Sequence, residues 1–98
     1  MIIVTGSIVA RPETFDRVLE LSLEHVHRSR KEPGCLSHAV YRDVENPMRV
    51  VFLEEWEDRG ALATHFAVPA SSAFIKEVRT LASELSPIGI FDSSPANL

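Results

Sequence analysis

The sequence predicts a small α+β fold, and three observations predict it. Runs rich in β-branched and aromatic residues recur at Ile2–Ala10, 35–43 and 49–57, a composition that suits pleated strands. Between and after them, apolar residues recur every three or four positions, as on one face of a helix. Proline and glycine stand at nearly every junction, where they end one element and open the next.

The first run, Ile2–Ala10, is a strand whose two faces carry Ile2, Val4, Gly6, Ile8 and Ile3, Thr5, Ser7, Val9; neither face is polar. Pro12 and Glu13 suit the first turn of a helix. Phe15, Val18, Leu19, Ser22 and Val26 then form its apolar stripe, opposite Asp16, Arg17, Glu20, Glu24 and Arg28. Glu32-Pro33-Gly34 stops that helix, since proline cannot continue it and glycine relaxes the turn. Residues 35–43 are a second strand, Glu45-Asn46-Pro47 a hairpin loop, and 49–57 the strongest strand in the chain. Asp58 can cap a short helix bearing Ala61, Leu62, His65 and Phe66. Pro69 interrupts it, and Ser71 or Ser72 starts a further helix with Phe74, Val78, Leu81 and Leu85 on one face. Pro87 opens a last strand, 88–91, before a polar tail at 93–98.

The resulting order is a ferredoxin-like split β-α-β arrangement: an antiparallel four-stranded sheet with helices on one face. The 98 residues suffice for one domain with its core in about residues 2–91. The first and third strands carry apolar residues on both faces, yet helices cover only one. An uncovered face of Val, Ile, Phe and Leu is a large apolar patch for a monomer. The patterning therefore predicts a homodimer packed sheet to sheet by two-fold symmetry.

Composition narrows the function. A net charge of -4 with no basic cluster argues against nucleic acid. One cysteine, Cys35, excludes an internal disulfide framework and a cysteine-rich zinc site. No run reaches the roughly 18 apolar residues of a membrane span, and the N-terminal residues lack a basic region before their apolar run. A cytoplasmic protein is expected, with no membrane partner.

Glu32-Pro33-Gly34-Cys35-Leu36, Tyr41-Arg42-Asp43, Asn46-Pro47, Phe52-Leu53-Glu54-Glu55-Trp56-Glu57-Asp58, Ala61-Leu62 and His65-Phe66 follow in close order. This run resembles the antibiotic biosynthesis monooxygenase family, dimeric α+β barrels that include quinol monooxygenases. The similarity spans about residues 2–91, and its sharpest part is the spacing from Glu54 to Phe66. The resemblance implies a homodimer with one pocket per subunit, and oxidation of a small aromatic phenol or quinol by molecular oxygen without metal or flavin. Relatives that degrade haem or isomerise small oxygenated metabolites leave two alternatives: another acid/base enzyme, or a non-catalytic dimeric ligand-binding module.

Such an oxygenase needs an apolar pocket, a weak base and a donor for the developing anion. His65 matches the family's histidine and is the candidate base, its ordinary pKa suiting proton transfer near neutrality. Trp56 is the second candidate catalytic residue, walling the pocket with its indole N–H toward a substrate oxygen. His38, placed on one strand face with Leu36, Val40 and Arg42, is a candidate substrate ligand, as are Thr5, Ser7 and Tyr41. Glu54, Glu55, Glu57 and Asp58 read as solvated carboxylates at a sheet edge, and Cys35 as a small buried strand residue. His25 and His27 are two apart on a helix and share no face, and His38 and His65 are distant, so no metal spacing appears and no cofactor is expected. The chain departs from the resemblance in three places. It lacks an asparagine in the first strand and a histidine between Ala70 and Leu85, where haem-degrading relatives bind iron. Where many members have a His-Phe pair it reads Pro69-Ala70-Ser71-Ser72.

Overall fold

A computed structural model describes all 98 residues. The elements are β1 (Ile2–Ala10), α1 (Phe15–Ser29), β2 (Cys35–Arg42), β3 (Arg49–Trp56), α2 (Arg59–Ala67), α3 (Pro69–Leu81), β4 (Ala82–Leu85) and β5 (Gly89–Asp92). Three helices pack on an antiparallel sheet ordered β2-β3-β1-β4, with β5 also paired to β1. No helix is long and apolar enough to cross a membrane.

The predicted four strands are five, because the outer edge of β1 is shared. β5 pairs with Ile2 to Thr5 and β4 with Ile8 to Ala10. In the gap Ser86 substitutes for a ladder partner: the Ser7 N–H donates to Ser86 Oγ at 2.7 Å, and the Ser86 N–H donates to the Ser7 carbonyl at 3.1 Å. Leu85, expected on the last helix, lies in β4. Pro69, expected to interrupt, is instead the first residue of α3, where its fixed φ suits a helix and its missing N–H costs nothing. Asp58 caps α2 as expected, accepting from the Ala61 N–H at 2.8 Å.

Alternation along the two central strands decides which side chains enter the interior. Ile2, Val4, Ile8 and Ala10 of β1 and Val50, Phe52, Glu54 and Trp56 of β3 are buried. Strand β3 is central, so Glu54 is not a solvated edge carboxylate as its sequence context suggests. On α1 the buried stripe is Phe15, Val18, Leu21, Ser22, His25, Val26 and Ser29, with Leu21 in place of the expected Leu19. The Ser22 and Ser29 hydroxyls donate to the carbonyls of Val18 and His25, each at 2.7 Å. Back-bonding to the preceding turn is how buried helical serines satisfy themselves.

Gly34 sets the turn after α1. Its φ of +82° lies in the left-handed region, and a Cβ there would stand 2.5 Å from the Ala61 Cβ, so any other residue is both strained and blocked. Residue 34 therefore lets the end of α1 approach α2, which brings Glu32 against His65.

Candidate active site

Four elements deliver a buried polar cluster to one end of the layer between sheet and helices. His25 comes from α1, His38 from β2, Glu54 from β3 and His65 from α2. The three imidazoles are 6%, 1% and 3% exposed, and one ligating atom of each lies within 4.8 Å of the others. The argument from sequence spacing misses this, because the turn at Gly34 and the β2–β3 pairing close the distance.

His65 is held by Glu32, whose Oε1 lies 2.7 Å from Nδ1. That contact places the Nδ1 proton against a carboxylate and leaves Nε2 for the interior. Trp56 packs on the same ring, with centroids 4.5 Å apart. Its indole N–H donates to Glu54 Oε1 at 2.9 Å, and Trp56 is fully buried. Trp56 is therefore not the cavity wall expected of it. It holds the Glu54 carboxylate and packs on the His65 ring.

Glu54 Oε1 also lies 3.3 Å from His38 Nε2 and 4.0 Å from His65 Nε2. Burial raises the Glu54 pKa, but the contact with His38, the Trp56 N–H and the charge interaction with His65 outweigh it and hold the carboxyl below its usual range. Burial pushes His25 down to about 3, with His38, His65 and Arg28 adding to the shift. His25 is thus neutral at physiological pH. Arg28 Nη2 sits 2.8 Å from its Nδ1, and since a guanidinium only donates, that contact selects the tautomer carrying the proton on Nε2. The ring stacks on Phe74, 4.3 Å between centroids and 5° from parallel. His38 makes no well-formed hydrogen bond through either ring nitrogen.

A cavity of about 380 Å³ opens beside this cluster, bordered by Gly6, His25, Phe52, Glu54, His65 and Phe74 among others. Its walls are mostly apolar, with His25, His65, Glu54 and Ser71 among the polar residues that line it. A Cβ on Gly6 would meet nothing within 4 Å, so the missing side chain leaves room in the cavity.

The candidate ligands from sequence divide. His65 borders the cavity, whereas His38 stands behind it. Thr5 and Ser7 border it along the β1 backbone, but they pair with Leu53 and Val51, so their side chains occupy the opposite sheet face. Tyr41 shares that face and is 57% exposed, away from the histidines. Leu36, assigned to the same face as His38, is 58% exposed, because the register shifts between Cys35 and Ser37 and turns it out. Sequence reasoning missed His25, Glu32 and Glu54. The one available signal was His25 at helical spacing between Ser22 and Ser29.

Residues 1–77 match the family model for antibiotic biosynthesis monooxygenase. The chain belongs to that family. Over 90 residues it is 32% identical to the uncharacterized protein sll1783 of Synechocystis sp., covering 92% of this chain and 61% of that one. The chain thus spans less than two-thirds of that relative. Its fold superposes at a TM-score of 0.93 on a candidate antibiotic biosynthesis monooxygenase from Deinococcus radiodurans, at 27% identity over 100% of this chain and 97% of the other. A second structure, described as an antibiotic biosynthesis monooxygenase, gives 0.88 at 32% identity, covering 97% and 100%. A conserved protein from Methanosarcina mazei gives 0.88 at 26%, covering 95% and 92%. These three structures share the ferredoxin-like α+β architecture of this chain.

Proposed function

We propose that the protein oxidises a small aromatic phenol or quinol with molecular oxygen, using His65 as the base and no metal or flavin in the turnover. The observation that carries this reading is His65, held by Glu32 and bordering an apolar cavity. With Nδ1 bonded to Glu32, Nε2 offers a lone pair to a phenolic O–H, and Glu32 stabilises the imidazolium that forms. His25, neutral and protonated on Nε2, donates to the phenolate oxygen as electron density shifts into the ring. Dioxygen then takes electrons from the ring carbon. One oxygen atom stays on that carbon, the other leaves as water, and the substrate supplies all the electrons. Phe52 and Phe74 supply the aromatic walls.

The working unit of this proposal is a homodimer. Leu53 and Tyr41 are 42% and 57% exposed on the sheet face opposite the helices, and a second copy packed there by two-fold symmetry would cover them.

The test is oxygen uptake by metal-stripped protein across hydroquinones, naphthols and anthrols. His65→Gln should lower turnover by about 100-fold or more. Gly6→Val should fill the cavity and abolish turnover while leaving the fold intact, since valine suits a strand and its Cβ meets no neighbour. Uptake no faster than autoxidation would sink the oxygenase reading. Turnover of a substrate in an anaerobic chamber, lost in His65→Gln, would reassign the pair to isomerisation.

A further inference from the structure

We propose that His25, His38 and His65 form a binding site for a divalent transition-metal ion of the zinc, nickel or copper class. Such a site goes beyond the oxygenase reading. An ion there uses the same His65 nitrogen as the base, so the metal-bound chain is a second state of the protein in which proton transfer is blocked.

The geometry is that of a three-histidine site. The ring centroids are 5.2, 5.3 and 5.6 Å apart, close to an equilateral triangle. A tetrahedral ion about 2.1 Å from three imidazole nitrogens places the ring centres roughly 5 Å from one another. The rings are inclined by 78°, 51° and 59° and do not stack on one another, so their edges can converge.

His38 supplies an independent observation. It is 1% exposed; Nδ1 has no hydrogen-bond partner, and Nε2 has only the poorly aligned 3.3 Å contact with the Glu54 carboxylate. A buried imidazole left in this way is costly, and an ion accepting a nitrogen lone pair removes the deficit. The Glu32 carboxylate on His65 Nδ1 is the outer-shell contact that orients a ligating histidine and raises its basicity. Glu54, 3.3 Å from His38 Nε2 and 4.0 Å from His65 Nε2, stands where an oxygen can become a fourth ligand or balance the ion's charge. Three imidazoles with at most one carboxylate select borderline ions over magnesium or calcium.

Arg28 opposes the ion. Its contact with His25 Nδ1 keeps a proton on Nε2, so binding must move that proton or expel it. Two consequences follow. Binding weakens as pH falls, and Arg28→Met, which frees Nδ1, tightens it.

The experiment titrates cobalt(II), read by its visible absorption, into the metal-stripped 98-residue chain without substrate, so its result does not depend on any oxygenase activity. One equivalent per chain is expected. His38→Gln should weaken binding about 100-fold, whereas His27→Gln, on the exposed side of α1, should not. Copper(II) bound to the unmodified chain should show magnetic coupling to three imidazole nitrogens, a readout that survives even if His38→Gln fails to fold. Absence of a one-equivalent complex, coupling to fewer than three imidazoles, or binding kept in His38→Gln would overturn the proposal.

Discussion

At one end of the layer between sheet and helices, Ile8, Phe15, Val18, Val50 and Val78 close on one another with hydrocarbon alone. At the other the apolar set shrinks to Ile2, Val4, Trp56 and Leu62, and the interior is filled by His25, His38, Glu54 and His65. Both ends are buried. They differ in how well their atoms are satisfied. The buried side-chain atoms without a hydrogen-bond partner are Arg28 Nε, Glu32 Oε2, both ring nitrogens of His38 and Ser71 Oγ. All of them belong to the histidine end or the cavity beside it. Stability alone would favour hydrocarbon in those positions, so the polar end reads as the part of the interior shaped by chemistry rather than by folding.

That contrast can be broken by substitution. Phe15 is 6% exposed in the apolar end, and Phe15→Ala should cost about 3–5 kcal/mol through lost burial and a residual cavity. His38→Met keeps similar bulk at the polar end and should cost about 1–3 kcal/mol, because the buried Glu54 carboxylate loses its 3.3 Å contact with Nε2 but keeps the Trp56 N–H. Urea denaturation of the two variants measures both. If His38→Met proved as damaging as Phe15→Ala, the histidine end would be holding the fold together.

Acid should act on one end only. The folded pKa of His25, about 3, lies below its ordinary value of 6.5, so between those values the unfolded chain binds a proton that the folded chain refuses. The stability due to neutral His25 is complete above about pH 6.5 and is lost as pH falls toward 3. The slope approaches about 1.4 kcal/mol per pH unit. The groups facing His25 are Arg28, His38, His65 and Glu54. Denaturation midpoints of metal-stripped protein from pH 4 to 7 should show this slope, and His25→Asn should flatten most of it. Equal slopes in the two proteins would mean that other groups carry the acid sensitivity.

The apolar end was legible in the sequence and the polar end only partly. Strand alternation and helical spacing are local, so β1, α1, β2, β3 and the Asp58 cap can be read from neighbouring residues. The division of β1's edge between β4 and β5 cannot, because it depends on which part of β1 the returning chain meets. The same holds for the site. His65 and Trp56 stand out by their place in a family pattern. Glu54 looked like one of several solvated carboxylates until β3 proved central, and His25 looked unpaired until the turn at Gly34 brought α1 and α2 together. Tyr41 shows the converse error: a plausible donor by residue type, placed on the wrong sheet face by strict alternation.

Trp56 is the link between the two ends. Its ring belongs to the smaller apolar cluster, while its N–H holds Glu54 at 2.9 Å. Trp56→Phe alone mixes a lost hydrogen bond with a lost volume, so it cannot apportion the two. A double-mutant cycle with Glu54→Leu can, since leucine has no acceptor for the indole N–H and the packing loss appears in both backgrounds and cancels. A bond to a charged, buried acceptor should leave a coupling energy of about 1.5–3 kcal/mol at neutral pH. The coupling should shrink in acid: the Glu54 carboxyl is held below its usual range, so the stability it contributes is present above its unfolded pKa and lost as pH falls through the folded one. A coupling near zero at neutral pH would make Trp56 a core residue only, and Glu54 would then depend on His38 for its place beside the cavity.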